Sequence, residues 1–163
     1  MAIRVFFKAS DDLTGCQEVG EPVAFDYFFS FGNSPAAKGR FAHELMLRLR
    51  DRAARIQGTN AVVVSTMYIR DAGDSPDSFY GSFIPVHCPA SLQSKTAILK
   101  QSSSLSVRPL PSKDNIPASC SPITKIGIDS EKYLEAFAAG LGGTHYWRAP
   151  PLASAWIYRC PAH

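Results

Sequence analysis

The segments Ser82-Phe83-Ile84-Pro85-Val86-His87-Cys88-Pro89-Ala90 and Ser154-Ala155-Trp156-Ile157-Tyr158-Arg159-Cys160-Pro161-Ala162 follow one spelling: Ser, five residues, then Cys-Pro-Ala. A second block recurs upstream in the same order. Ala53-Ala54-Arg55-Ile56-Gln57-Gly58-Thr59-Asn60 matches Ala138-Ala139-Gly140-Leu141-Gly142-Gly143-Thr144-His145 in its paired alanines, an aliphatic residue and Gly-Thr. Before each lies a cysteine followed by an aliphatic-Gly pair, Cys16 with Val19-Gly20 and Cys120 with Ile126-Gly127, at unequal spacing. Self-similarity of this kind constrains a fold more than composition does, because each repeat must close as one supersecondary unit.

Each unit parses alike. An opening strand (3–7; 105–110) leads through a loop to the cysteine, and a short second strand (18–25; 123–128) leads to a helix. In the first helix Phe41, Leu45, Leu49, Ala53 and Ile56 recur at spacings of three and four, Arg48, Arg52 and Arg55 take another face, and Ser34-Pro35 supplies the start, so the helix spans 35–57. In the second unit Ser130 and Glu131 open a shorter helix with Tyr133, Leu134, Phe137, Ala138 and Leu141 on its apolar side. Gly58, and Gly142 or Gly143, suit the left-handed position that ends a helix. The β-branched run from Ala61 to Tyr68 is a strand covered on both faces or central in its sheet, with 144–148 as its counterpart, and each unit finishes in a last strand (79–88; 153–160). The expected fold class is α+β: two tandem ββαββ-like units, each a helix packed on a small, mainly antiparallel sheet. The expected boundaries are 1–90 for the first unit, 91–103 for a Ser-rich linker and 104–163 for the second. Whether the two sheets join is not legible.

With 163 residues, of which 45% are hydrophobic and 11% aromatic, the chain has material for a real core. The net charge is +3. Residues 1–90 carry nine Lys and Arg against ten Asp and Glu, so the excess falls in 91–119, with four against one. Such spread cations are too sparse for nucleic acid as a main partner. No run approaches the roughly 20 apolar residues of a membrane span, and Met1–Ser10, soon followed by Asp11 and Asp12, does not read as a signal peptide.

Four cysteines allow three pairings, and the duplication selects Cys16 with Cys88 and Cys120 with Cys160, each bridge closing its own unit. Loops of 72 and 40 residues would gain roughly 4 kcal/mol each on the chain-entropy model. Such bonds persist only where the surroundings oxidise. Structural zinc is the rival reading, but no Cys-x-x-Cys pair supports it.

A nucleophilic cysteine needs a base, and His87 adjoins Cys88; neighbours in a strand point to opposite faces, however, and His43 and His145 read as structural. Asp71, Asp74 and Asp77 resemble a calcium loop without its closing glutamate. Gly140, Gly142 and Gly143 end a helix, so they make no phosphate cradle. No catalytic residue, metal ligand or cofactor is assigned. The aromatic cluster Phe25, Tyr27, Phe28, Phe29 and Phe31 exceeds what one side of a strand buries. It either covers the junction of the units or, with Trp147 and Trp156, forms a partner-binding surface. Tyr146 and Tyr158 cluster with the tryptophans, and Trp156 and Tyr158 share one face of the last strand.

The first half, through Thr14-Gly15-Cys16-Gln17-Glu18-Val19-Gly20, the helix end 49–56, Gly58-Thr59-Asn60-Ala61-Val62-Val63 and the last strand with Cys88, resembles the envelope-protein families of the RcsF lipoprotein and YbjQ kinds. The second half, through Gly127, Gly142-Gly143, Tyr146 and Ala155-Trp156-Ile157-Tyr158, is similar to the small periplasmic stress proteins of the BhsA and YhcN kind. The resemblance implies an exported, disulfide-held, non-catalytic envelope module. The leading expectation is a bacterial periplasmic or cell-surface module for binding or stress sensing that works through protein contacts made by its aromatic surfaces, with a homo-oligomer as a further expectation. The alternatives are a cysteine-dependent enzyme and a cytoplasmic partner-binding or inhibitor protein with reduced cysteines.

Overall fold

A computed structural model describes residues 3–29, 41–70, 77–94, 107–128, 134–149 and 154–161, and among these described residues alternation and turn chemistry give nine strands and two helices. The first half contributes β1 (Arg4–Phe7), β2 (Gln17–Glu18), β3 (Val23–Phe29), α1 (Phe41–Ala54), β4 (Ala61–Arg70) and β5 (Asp77–His87). The second contributes β6 (Arg108–Pro109), a 3-10 turn (Lys113–Asn115), β7 (Ser121–Ile128), α2 (Leu134–Gly140), β8 (His145–Ala149) and β9 (Ser154–Arg159).

The two halves make one sheet. Its order is β2-β5-β4-β7-β9-β8-β6, with β1 on β4 and β3 on β5. The joint is a parallel pairing of Tyr68 with Gly127 and Ile69 with Ile128. It is possible because β4 is ten residues long while β1 covers only Ala61–Val64 on that edge, leaving the rest for β7. The small, mainly antiparallel sheets expected of each unit, whose joining the sequence left open, are thus one mixed sheet in an α+β fold. Within it the pairing order β1, β4, β5, β3 is the same as β6, β8, β9, β7, with a parallel first ladder and antiparallel later ones in both.

Both helices lie on one face of this sheet and touch each other. In α1, Ala42, Leu45, Met46, Leu49 and Ala53 are buried, the 3.6-residue stripe that the sequence shows. They share a single core with Val62, Val64, Met67, Ile69 and Phe83 of the first half and with Ile126, Ile128, Leu134, Phe137 and Ile157 of the second. Phe79 of β5 and Phe137 of α2 stack across the halves at 5.5 Å. Ser10 donates from its hydroxyl to the Ile123 carbonyl, tying the chain after β1 to β7.

Several boundaries differ from expectation. The second strand of the first half is two, β2 and β3, separated by Val19–Pro22, where Pro22 has no N–H for a ladder. Of the expected opening strand of the second half, 105–106 lie outside the described residues and Arg108–Pro109 form the strand, which carries a proline at 109 and is followed by another at 111, neither able to donate. Helix α1 ends at Ala54, three residues short of Gln57, and its expected start at Ser34-Pro35 lies outside the described residues. Helix α2 ends with Gly142 at φ +82°, where Gly142 N–H donates to Ala139 and Gly143 N–H to Ala138, a Schellman closure.

Candidate functional site

Each half carries its disulfide at matching places. Cys16 bonds Cys88 and Cys120 bonds Cys160, with Cα atoms 4.0 and 4.1 Å apart. A turn positions the first cysteine of each pair, the Cys16 N–H donating to Leu13 and the Cys120 N–H to Pro117, both at 3.0 Å. A side chain from the strand entry holds the second. Asn60 Oδ1 accepts from the Cys88 N–H at 2.7 Å, and Thr144 Oγ1 accepts from the Cys160 N–H at 2.8 Å. One residue earlier, His87 Nδ1 bonds the Gly58 carbonyl at 3.2 Å and Arg159 Nε donates to the Gly142 carbonyl at 3.0 Å. These equivalences shift the sequence alignment by one: Gly58 matches Gly142 and Asn60 matches Thr144, so the shared Gly-Thr spelling was one residue out of register. The third block also moves. Ala24 lies opposite Ser82 and Gly127 opposite Ser154, so Gly127 corresponds to Ala24 and not to Gly20.

With all four cysteines oxidised, no thiolate is available for the nucleophilic chemistry that the enzyme alternative required. The calcium-like group falls on Asp71 and Asp74, outside the described residues, and on Asp77, which opens β5. Among the described residues no three His, Cys, Asp or Glu side chains group to hold a metal.

The aromatic residues separate by strand alternation. Phe25 is 3% exposed in the common core and is corrected from partner surface to core. Tyr27 is half-buried on the same helix-covered face, stacked on Phe25 at 5.8 Å with Arg48 over its ring. Phe28 points the other way and is 60% exposed. Phe29 closes β3, nothing is described of its side chain, and Phe31 lies outside the described residues. Trp147 and Trp156 are direct cross-strand partners and half-buried, and Trp156 packs on Tyr158 at 6.4 Å. Burial pushes the Tyr158 phenol above its ordinary pKa.

Trp156 and its neighbours belong to the sheet face away from the helices. Near the first bridge that face is covered, Phe6, Ala61, Val63, Val86 and Cys88 forming a small second cluster beneath Leu13, Cys16, Ile84 and Leu92. Beyond a bulge between Val64 and Thr66 the cover stops. There β4 alternates, Met67 and Ile69 buried, Thr66, Tyr68 and Arg70 exposed, so the reading of a strand covered on both faces holds only to Val64. Tyr68 and Tyr80, paired across β4 and β5, stack at 5.0 Å with 10° between their planes, and Arg70 lies over Tyr80 at 4.7 Å.

Tyr68 also rests on Gly127 across the joint, where a Cβ would come within 2.0 Å of its ring. Beside it, between β4 and β7, opens a cleft of about 420 Å³ lined by Ser65, Thr66, Tyr68, Lys125, Gly127 and Ser154, among others. Sequence reasoning missed this group. The alternation after Ser65 was the visible sign that this strand has one uncovered face, but the partner strand that completes the cleft is set by the fold. No protein-family model, curated protein or solved structure matches this chain.

Proposed function

We propose that the protein is a non-catalytic binding module of an oxidising, extracytoplasmic compartment, built from two versions of one strand-strand-helix-hairpin unit, and that it engages a partner protein through the helix-free face of its sheet. The observation that carries this reading is the aromatic and cationic row on that face. Tyr68 is 42% exposed in mid-sheet, backed by Tyr80 and Arg70, in a chain whose other sheet face is covered by both helices. Exposed aromatics beside arginine are the residue types that anchor protein contacts. The two disulfides support the compartment. The resemblance to envelope families supports a bacterial periplasmic or surface setting and a part in stress sensing. The matched ladders, turns and bridge contacts support the repeated unit.

The test places a photo-cross-linking amino acid at Tyr68 or Phe28, on the helix-free face, and at Leu47, 38% exposed on α1, in cells that make the protein. Discrete adducts from the first two positions and none from Leu47 are expected. Adducts from Leu47 alone, or from no position, would overturn the proposed face.

A further inference from the structure

We infer that the cleft between β4 and β7 binds an acidic sugar residue of the uronic-acid class, an inference that rests on the helix-free face being the protein's contact surface. Its volume of about 420 Å³ lies within the range of small-molecule sites, about 300–1,000 Å³. Three of its features define the ligand.

One wall is the ring of Tyr68. The Tyr80 stack, with Arg70 over Tyr80, holds one face of that ring, and Gly127, which carries no side chain, meets it along its Cδ1–Cε1 edge, so that Tyr68 stays 42% exposed. The rigid wall suits the flat face of a six-membered ring. Three hydroxyl residues, Ser65, Thr66 and Ser154, line it beside the apolar Ala9, Met67 and Ile126, and Thr66 already bonds Ser82 at 3.2 Å. The β4 stretch Ser65–Met67 pairs with neither β1, whose ladder stops at Val64, nor β7, whose ladder begins at Tyr68. An apolar ligand would strip water from these groups and return no hydrogen bond. A polyhydroxylated ring answers them.

Among the described residues, Lys125 is the one charged side chain lining the cleft. It lies on β7 opposite Trp156, exposed. A single cation beside a ring platform and several hydroxyls complements one carboxylate on a sugar.

The closing experiment titrates methyl β-glucuronide, methyl β-glucoside and benzoate into the intact oxidised protein, followed by amide chemical shifts. Saturable binding of the glucuronide is expected, with shifts centred on Thr66, Tyr68 and Lys125, and the neutral glucoside about tenfold weaker. Lys125→Gln should bring the two sugars to equal affinity while the chain still folds, since Lys125 is exposed. Tyr68→Ser should abolish both. No saturable glucuronide binding below about 10 mM, equal affinity for the two sugars in the unsubstituted protein, or benzoate binding as tight as glucuronide would each overturn the ligand class. Should the sugar fail while cross-links from Tyr68 persist, only the sugar assignment falls. Should both fail, the binding-face reading falls with it.

Discussion

The two halves of the sheet share a pairing order and a bridge, yet one is large and the other spare. Among the described residues helix α1 has 14 residues and α2 seven, β5 has 11 and β9 six, and β1 has four and β6 two. Two short helical turns bury too little apolar surface to hold a sheet alone, because the surface available for burial shrinks with size. The second half therefore borrows. Its Phe137 stacks on Phe79 of the first half, its β7 extends the first half's sheet, and its Ile126, Ile128 and Leu134 finish a core begun by α1 and β4.

This asymmetry can be broken most forcefully at the joint. Phe137→Ala should cost about 3–5 kcal/mol and lower a single transition seen alike by tryptophan fluorescence from the second half and by proteolysis of the first. Two separated transitions would show that the halves fold independently.

Next in size are the bridges. Replacing Cys16 and Cys88 by serine, or Cys120 and Cys160, should each cost about 4 kcal/mol by loop entropy, slightly more for the 72-residue closure than for the 40-residue one. Urea unfolding of the two double variants should show one transition in each, with the lower midpoint for the pair whose bridge closes the 72-residue loop. Equal behaviour of the two would mean that the shared core alone decides stability.

A smaller effect separates equivalent positions. Gly127→Ala places a Cβ within 2.0 Å of the Tyr68 ring and should cost about 1–3 kcal/mol, most of it recovered in a Tyr68→Ala background. Its counterpart Ala24, exposed on β3, should accept glycine with a loss of only about 0.5–1 kcal/mol. Thermal denaturation of the set reads both.

The smallest difference lies in how each bridge is held. Asn60 accepts from the Cys88 N–H and donates to the Cys88 carbonyl at 2.9 Å, whereas Thr144 accepts from the Cys160 N–H and makes its second bond, 2.8 Å, to Nδ1 of the adjacent His145 and not to the bridge. Asn60→Ala should cost about 2 kcal/mol and Thr144→Ala about 1, by the same measurement. Equal losses would make the second Asn60 bond irrelevant.

Much of this was legible before any coordinates. The apolar stripe of α1 is visible because helical period survives in a one-dimensional string, and the cysteine pairing follows once Ser-x5-Cys-Pro-Ala is seen twice. The aromatic cluster was legible as a composition and misleading as a surface. Five rings within 25–31 say nothing of which face each takes until the strand's phase is known, and β3 turns Phe25 inward and Phe28 outward. The one-residue error between Gly143 and Gly142 has a similar origin. A repeated spelling aligns letters, while the φ of +85° at Gly58 and +82° at Gly142 aligns conformations.

The sequence by itself determined what is local or self-similar: the α+β class, the two helices, the turns before the cysteines and the plan of bridges. Those depend on side-chain period, on glycine's freedom at positive φ and on spacing along one chain. Only the tertiary structure decided that the halves form one sheet, that β7 takes the edge of β4 beyond Val64, and that Tyr68, Lys125 and Gly127 meet around a cleft. Edge pairing is a competition among strands distant in sequence, settled by which backbone groups remain unpaired after every nearer ladder has formed.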